Sequence, residues 1–193
     1  MGRIVVSENV TLDGVVQDPR GEEGRGRGDW FTWLGEQDRR AWAEVFLAEA
    51  LDAAALLLGR RSYEYFAARF PFRGGPWADR LNAMPKYVVS AALADADAWS
   101  NSTVLKGDVV SEVSRLKQEV DGEIVVNASG RLVRALIEHD LVDELRLMTF
   151  PFVAGAGERL FGETSGVKPM RLAGARAVGA GLALLTYRPA PRP

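Results

Sequence analysis

The segment that most constrains the fold is Leu56-Leu57-Leu58-Gly59-Arg60-Arg61-Ser62-Tyr63-Glu64, where an apolar run stops at a glycine and a helical pattern begins at once. A buried strand that turns directly into a helix leaves the first helical N–H groups unpaired, beside the positive end of the helix dipole. Arg60, Arg61 and Ser62 lie on this turn, and guanidinium groups bind phosphate oxygens in pairs. The segment predicts either a phosphate site or a plain strand end with solvated arginines.

Strand and helix patterns alternate along the rest of the chain. Helices are predicted at 36–52, 62–69, 109–120 and 129–139, and strands at 4–10, 53–58, 87–89, 104–105, 123–126 and 144–150, with a loop at 71–76. Two further strands, 171–178 and 182–188, flank a glycine-rich turn and predict an antiparallel hairpin. This order predicts an α/β fold with a mixed, mostly parallel sheet between helices.

Composition limits the possible functions. With 193 residues, we expect a single domain at 1–189, with a flexible loop at 18–35 and a tail at 190–193. The net charge of −2 argues against a nucleic-acid partner. The absence of cysteine and the single histidine, His139, exclude thiolate chemistry and metal centres built on these residues, and no metal is expected. Without a membrane-spanning or signal-peptide pattern, we expect no membrane partner and a cytoplasmic location.

Three further loops are expected at the same edge of the sheet as Gly59, because each follows a predicted strand and ligands bind beyond the carboxyl ends of such strands. Ser90 follows one strand, and a Gly-x-Gly loop containing Val153 and Gly155 follows another. The remaining loop consists of Asn127, Ala128, Ser129, Gly130, Arg131 and Leu132. Its small residues admit a ligand close to the backbone, while Ser129 either caps the next helix or also binds the ligand.

Asp13, Trp30 and Phe31 are candidates on the substrate side. Asp13 lies near the end of the first strand, where a carboxylate either orients a substrate and relays a proton or only forms an Asp-Gly turn. Trp30 and Phe31 follow the charged loop. They form either an apolar wall for a planar ligand or a core that anchors the loop.

Five motifs, at 11–16, 58–64, 84–90, 140–147 and 151–161, occur in an order that covers nearly the whole chain. Together they resemble the dihydrofolate-reductase-like family typified by the C-terminal reductase domain of the bifunctional riboflavin-biosynthesis protein, and above all its stand-alone members. The resemblance implies a dihydrofolate-reductase-like sheet that binds NADPH across its carboxyl edge. It also implies a homodimer.

The resemblance places the phosphates of NADPH on the Gly59 turn, with an arginine for the 2′-phosphate. It places the pyrophosphate or the nicotinamide end on the loop that begins at Asn127. The resulting candidate cofactor contacts are Gly59, Arg60, Arg61, Ser62, Ser90, Asn127, Ala128, Ser129, Gly130, Arg131, Leu132, Val153 and Gly155.

The chain departs from the family pattern at three points. Ala128 stands where glycine is usual, and the riboflavin-pathway reductases have Glu-Gly-Gly where this chain has Asn127-Ala128-Ser129. The acid that dihydrofolate reductases carry on the helix before the Gly-Arg turn is replaced by Trp42 and Ala43 in about that register. The resemblance therefore does not imply that the chain acts on the substrate of the riboflavin-pathway reductases or on dihydrofolate.

These observations predict an NADPH-dependent reductase acting on a small pterin-, pyrimidine- or carbonyl-type substrate. Asp13 would orient the substrate or relay a proton, and Trp30 and Phe31 would form its wall. One alternative is a nucleotide- or pterin-binding protein without turnover. Another is a ligand-free scaffold that acts through dimerisation.

Overall fold

A computed structural model describes residues 1–21 and 29–191. The predicted loop at 18–35 therefore lies partly outside the described residues. The strands are β1 (Arg3–Thr11), β2 (Ala53–Gly59), β3 (Lys86–Val89), β4 (Ser102–Leu105), β5 (Glu123–Val126), β6 (Glu144–Phe150), β7 (Met170–Val178) and β8 (Leu182–Pro189). The helices are α1 (Glu36–Asp52), α2 (Arg60–Ala67), α3 (Pro76–Ala83), α4 (Val109–Glu119) and α5 (Gly130–Glu138), with a 3-10 turn at Phe70–Phe72.

All eight of these strands form a single sheet, in the order β4-β3-β2-β5-β1-β6-β8-β7. The strands from β4 to β6 run parallel to one another. β8 pairs antiparallel with β6, and β7 pairs antiparallel with β8. The parallel strands all present their carboxyl ends at one edge of the sheet, where the predicted ligand loops follow.

Side chains that alternate along the strands build an apolar core on each face of the sheet. Ile4 and Val6 of β1 face α4 and α5, whose buried residues include Val113 and Leu136. The intervening residue Val5 faces the opposite side, where α1, α2 and α3 cover the sheet. An aromatic cluster continues this second core over β6 and β8, and it contains Trp30, Phe31, Trp42, Phe46 and Phe150.

The predicted architecture is confirmed: the sheet is mixed and mostly parallel, helices cover both faces, and the C-terminal strands form an antiparallel hairpin. The predicted loop at 71–76 is wrong in detail, because a 3-10 turn occupies Phe70–Phe72 and α3 begins at Pro76. A proline suits the first helical position, since the N–H that it lacks would have no intrahelical partner there. α2 begins at Arg60 rather than at Ser62, directly after the last residue of β2.

Within residues 1–21 and 29–191, no helix combines the length and apolar character needed to cross a membrane.

A buried ion-pair network fastens the antiparallel strands to the parallel sheet. The Glu144 carboxylate on β6 accepts hydrogen bonds from Arg188 of β8 at 2.8 Å, from Arg3 of β1 at 2.9 Å and from Arg146 at 2.7 Å. Burial opposes the ionisation of Glu144, but the hydrogen bonds from Arg188 and Arg146 outweigh it and hold its pKa below the usual value. Three strands are thereby joined through one carboxylate.

We expect Glu144→Gln to lower the free energy of unfolding by about 3 kcal/mol at neutral pH, because it removes the charge of a buried carboxylate that three arginines share. The lowered pKa means that this stabilisation is complete above the usual glutamate pKa of 4.5 and is lost as the pH falls through the folded-state value. The measurement is urea unfolding between neutral pH and about pH 3. The control Glu119→Gln breaks an exposed helical pair with Arg115 and should cost less than about 0.5 kcal/mol. Equal losses in the two variants would contradict the network's role.

Candidate functional site

A cleft opens in the sheet because β5 is shorter than both of its neighbours. The last β5 residue, Val126, pairs with Val6 of β1 and with Leu57 of β2. Beyond it, β1 continues to Thr11 alongside β6, and β2 continues to Gly59 alongside β3. The edges of β1 and β2 that face each other past Val126 therefore lack a strand between them. This is the position at which open parallel sheets bind ligands.

The cleft has a volume of about 800 Å³, which lies within the usual range for small-molecule sites of roughly 300–1,000 Å³. Most of its described lining falls into three groups. The β1 edge contributes Ser7, Glu8 and Asn9; the two helix starts contribute Gly59, Arg60, Arg61, Ser62, Asn127, Ala128, Ser129, Gly130, Arg131 and Leu132; and the aromatic wall contributes Trp42, Phe46, Tyr65, Phe66 and Trp77.

The loop 127–129 is held tightly between β5 and α5. The Ser129 hydroxyl accepts a hydrogen bond from the Gly59 N–H at 3.0 Å and donates to the Asn127 carbonyl at 3.0 Å. The Ser62 hydroxyl donates to the carbonyl of Ala128 at 2.6 Å. Ser129 occupies the N-cap position of α5, but its side chain makes no capping bond because it is used in this bridge. The two helix starts are therefore locked together.

Ala128 makes this short connection with a left-handed backbone, at φ +54°. For a residue with a side chain, the left-handed region costs roughly 1–2 kcal/mol. This strain explains why glycine is usual at position 128 in the family that the sequence resembles. The chain turns from strand to helix within three residues, and the surrounding hydrogen bonds hold Ala128 in place.

One end of the cleft is suited to anions. The N-termini of α2 and α5 both line it, and each helix carries an arginine in its second position, Arg61 and Arg131. Both side chains are exposed and form no hydrogen bond or ion pair with any described residue. Arg60 is instead paired with Glu64 at 2.9 Å. Unpaired N–H groups, two helix dipoles and free guanidinium groups together favour phosphate.

Another part of the cleft lining is aromatic. Trp42 stacks on Phe46 with ring centroids 4.6 Å apart, and Trp77 packs edge-on against Trp42 at 5.7 Å. The Trp42 indole N–H donates to the Asn9 side chain at 2.8 Å, which fixes the ring against the β1 edge. Such a wall suits a planar ring system.

Glu8 is a carboxyl group buried in the floor of this cleft. Its side chain lies on the central strand, the residue is 5% exposed, and an oxygen accepts from the Ser129 N–H at 3.3 Å. Burial raises its pKa to about 8, against the lowering effect of the backbone N–H groups of Ser129 and Ala128. At neutral pH the carboxyl is therefore protonated.

Asp13 is placed outside the cleft lining as far as the described residues show, and it organises a neighbouring loop. Its carboxylate accepts hydrogen bonds from Thr11 at 2.7 Å, Ala154 at 3.0 Å and Gly155 at 2.9 Å. The hydrogen bond from Thr11, followed by that from Ala154, lowers its pKa to about 2. At neutral pH the carboxylate is therefore ionised and hydrogen-bonded within its own loop. The geometry favours the turn-forming alternative.

Trp30 and Phe31 are core residues rather than a cleft wall. They are 2% and 8% exposed. Trp30 packs edge-on against Phe150 at 4.7 Å, and Phe31 packs edge-on against Trp42 at 4.8 Å. The core alternative therefore applies, and Phe31 contacts the cleft lining through Trp42 and Arg20.

Ser90, Val153 and Gly155 lie at the predicted edge of the sheet but not among the described residues that line the cleft. The Ser90 hydroxyl accepts hydrogen bonds from the N–H groups of Ala92 and Leu93 and so closes a turn. Val153 is 71% exposed, while the Gly155 N–H is bound to Asp13. The other ten predicted cofactor contacts, from Gly59 to Ser62 and from Asn127 to Leu132, are brought together.

Sequence reasoning missed Glu8 and the aromatic wall. The signal for Glu8 was the polar run Ser7-Glu8-Asn9 inside an otherwise apolar strand that begins Ile4-Val5-Val6. Trp42 and Phe46 lie on the buried, apolar face of the helix predicted at 36–52. Nothing in that pattern shows that the face extends past the core to the cleft.

Comparison with known proteins places this geometry in a family. The sequence profile of the RibD C-terminal domain matches residues 3–184. The chain is 25% identical over 190 residues to the uncharacterized protein YyaP of Bacillus subtilis, covering 96% of this chain and 94% of YyaP. It is also 25% identical over 170 residues to the uncharacterized protein YwjB of the same organism, covering 88% of each.

Three solved structures share the fold. A protein of Shewanella sp. PV-4, provisionally assigned to riboflavin biosynthesis, superimposes with a TM-score of 0.77 at 21% identity, covering 98% of this chain and 99% of that one. Dihydrofolate reductase of Enterococcus faecalis, complexed with NADP(H) and RAB-propyl, gives 0.58 at 16% identity over 97% and 96%. The Thermotoga maritima diaminohydroxyphosphoribosylaminopyrimidine deaminase/5-amino-6-(5-phosphoribosylamino)uracil reductase gives 0.62 at 14% identity, and this chain covers 57% of it. At these identities the likeness shows the fold alone.

We expect Ala128→Gly to raise the free energy of unfolding by about 0.5–1 kcal/mol, since glycine relieves the left-handed strain and loses part of the gain to backbone entropy. The matched control Ala43→Gly lies on an exposed face of α1 and should lower it by about 1 kcal/mol. Urea unfolding of both variants is the measurement. A loss of stability in Ala128→Gly would contradict the assigned backbone strain.

We expect Glu8→Gln to gain stability relative to the natural protein as the pH rises. The folded-state pKa of about 8 exceeds the usual 4.5, so the folded state holds a proton that the unfolded state releases. The stabilisation is complete below the usual pKa and is lost as the pH rises toward the folded-state value, by up to about 1.4 kcal/mol per pH unit. Unfolding of both proteins between about pH 5 and pH 8 tests this. A difference that stays constant with pH would show that Glu8 is not a buried neutral acid.

Proposed function

Because the chain belongs to the RibD C-terminal domain family, we propose that it is an NADPH-dependent reductase of a small pterin-, pyrimidine- or carbonyl-type substrate. The fold is that of a reductase family, and one solved protein of this fold is complexed with NADP(H). The observation that carries the proposal is the cleft at the short β5 strand, whose lining combines an anion-binding end with an aromatic wall.

The residues at the anion-binding end fit a phosphorylated dinucleotide. Its pyrophosphate would lie against the N–H groups that begin α2 and α5, where the positive ends of the two helix dipoles meet. Arg61, which has no hydrogen-bond or ion-pair partner among the described residues, would bind the 2′-phosphate, for which a guanidinium fork is well suited. The locked loop 127–129 keeps both helix starts in place without a reorganisation cost.

The aromatic end would hold the substrate. Trp42, Phe46 and Trp77 contribute apolar ring surface to the lining, and the Asn9 side chain fixes Trp42 in position. NADPH, when bound, supplies the hydride, while the chain positions both reactants and excludes water. Because the β1 edge contacts the loop that begins α5 through Glu8 and the aromatic wall through Asn9, the two reactants would meet above this edge.

A binding protein without turnover is the second candidate. It is favoured by the position of Asp13, whose carboxylate is taken up by loop N–H groups outside the described cleft lining. NADPH oxidation against carbonyls, pterins and flavin precursors separates the two candidates. Binding without oxidation of NADPH by any compound would support the second.

A homodimer and a cytoplasmic location remain predictions, the first resting on the family resemblance and the second on the sequence pattern. The same holds for the single domain at 1–189. Chromatography with light scattering would test the dimer directly.

We expect NADPH to bind with micromolar affinity in calorimetry, and Arg61→Ala to weaken it about ten-fold, the value of one or two charge-assisted hydrogen bonds. NADH lacks the 2′-phosphate, so its affinity should be lower and unchanged by the substitution. Arg60→Ala should weaken NADPH less, because Arg60 is already paired with Glu64. The control Arg115→Ala removes an exposed arginine of α4 and should leave binding unchanged.

Equal losses for NADPH and NADH in Arg61→Ala would remove this arginine from the 2′-phosphate site. Failure of NADPH to bind the natural protein at all would overturn the reductase proposal.

A further inference from the structure

Glu8 is the one ionisable side chain that the central strand places in the floor of the described cleft. It shares a face of β1 with Ile4, Val6 and Val10, all of them core residues. Because the edge of β1 is open past Val6, consecutive residues on both faces of this strand reach the cleft. An acid in this position faces both the bound ligands and the apolar core.

Glu8 has no counter-charge among the described residues. Its partners are backbone N–H groups of the loop 127–129. The charged side chains around the same cleft are Asp18, Arg20, Arg60, Arg61, Glu64, Arg131 and Glu158. Three of these are already paired, since Glu64 pairs with Arg60 and Glu158 with Arg134. A buried carboxyl without a cation is more stable as the neutral acid, which holds a proton that it can transfer.

We propose that Glu8 is the proton donor of the reaction and that the substrate is therefore a neutral carbonyl or imine compound. This inference rests on the proposed reductase function. The acid lies on the β1 edge of the cleft and contacts the loop that begins α5, while the next residue, Asn9, holds Trp42 of the aromatic wall.

The proposed step is the reduction of one double bond in the substrate. Its C=O or C=N carbon accepts a hydride from the nicotinamide ring, and the π electrons move to the oxygen or nitrogen. That atom takes the proton of the Glu8 carboxyl, so the Glu8 O–H bond breaks as the new O–H or N–H bond forms. The substrate is reduced, NADPH is oxidised, and Glu8 is left as a carboxylate that water protonates again.

The loop around Glu8 is arranged for both of its protonation states. The Ser129 N–H donates to the Glu8 side chain at 3.3 Å and would strengthen its hold on the carboxylate once the proton has left. The hydroxyl of Ser129 is bound to Gly59, so this residue keeps its position throughout. Glu8 thus contacts the same loop that would hold the cofactor.

The test compares two hydride acceptors that differ in their need for a proton. Para-nitrobenzaldehyde is neutral and requires a proton on its oxygen, whereas the N-methylated iminium ion of dihydroisoquinoline needs only the hydride. We expect Glu8→Gln to slow NADPH-dependent reduction of the aldehyde about 100-fold, within the range for general acids. Reduction of the iminium ion and the affinity for NADPH should change less than about two-fold.

Each outcome decides between the proposals. Equal slowing of both acceptors would make Glu8 a structural residue and overturn its role as donor, while the reductase function would stand. Unchanged reduction of the aldehyde would overturn it as well. If the natural protein reduces neither acceptor although it binds NADPH, both the reductase proposal and the donor role fail.

A second readout does not depend on turnover. Carbon-13 NMR of the glutamate carboxyl groups, with Glu8 assigned from its missing signal in Glu8→Gln, gives its pKa in the natural protein with NADPH bound. We expect ionisation near pH 8, and aldehyde reduction that falls as the pH rises through the same value. Ionisation at the usual glutamate pKa of about 4.5 would overturn the proposal, because the group would hold no proton at neutral pH.

Discussion

The site depends on the length of one strand. β5 ends at Val126 while β1 and β2 on either side continue, and the three-residue connection to α5 closes the floor of the gap. Backbone groups at the open edge need hydrogen-bond partners. When the side-chain nitrogen of Asn127 points toward Ser7, it donates to the Ser7 carbonyl at 2.8 Å. A longer β5 would pair with these edges and fill the cleft.

The short connection also determines which groups surround the cleft. It brings the N-terminus of α5 beside that of α2, and the hydroxyl groups of Ser62 and Ser129 tie the two together. The same loop contacts the buried Glu8 through its backbone. The left-handed backbone of Ala128 allows the chain to make this short connection. Positive helix ends, a neutral buried acid and an aromatic wall therefore surround one space.

Much of the fold and of the cleft lining was predictable from local sequence. Apolar strands ending in Gly59 and Val126 indicated both the parallel sheet and the loops that line the cleft, because strand direction alone brings these loops to one edge. The positions of Asp13, Trp30 and Phe31 were not predictable, since an Asp-Gly turn and an aromatic cluster have the same pattern in a core as in a site. The role of Glu8 was hidden for a related reason. A polar residue in a strand is unusual, but only the missing stretch of β5 shows that it reaches a cleft.

A nuclear Overhauser experiment tests directly whether this cleft is the cofactor site. The protein is labelled at its alanine and leucine methyl groups and saturated with NADPH. The Ala128 methyl, assigned by its loss in Ala128→Gly, should show contacts with protons of the bound cofactor, and Leu132 should do the same, because both line the cleft at the start of α5. Contacts confined to methyl groups elsewhere, with NADPH saturated and the Ala128 signal unchanged, would contradict the assignment of this cleft as the cofactor site.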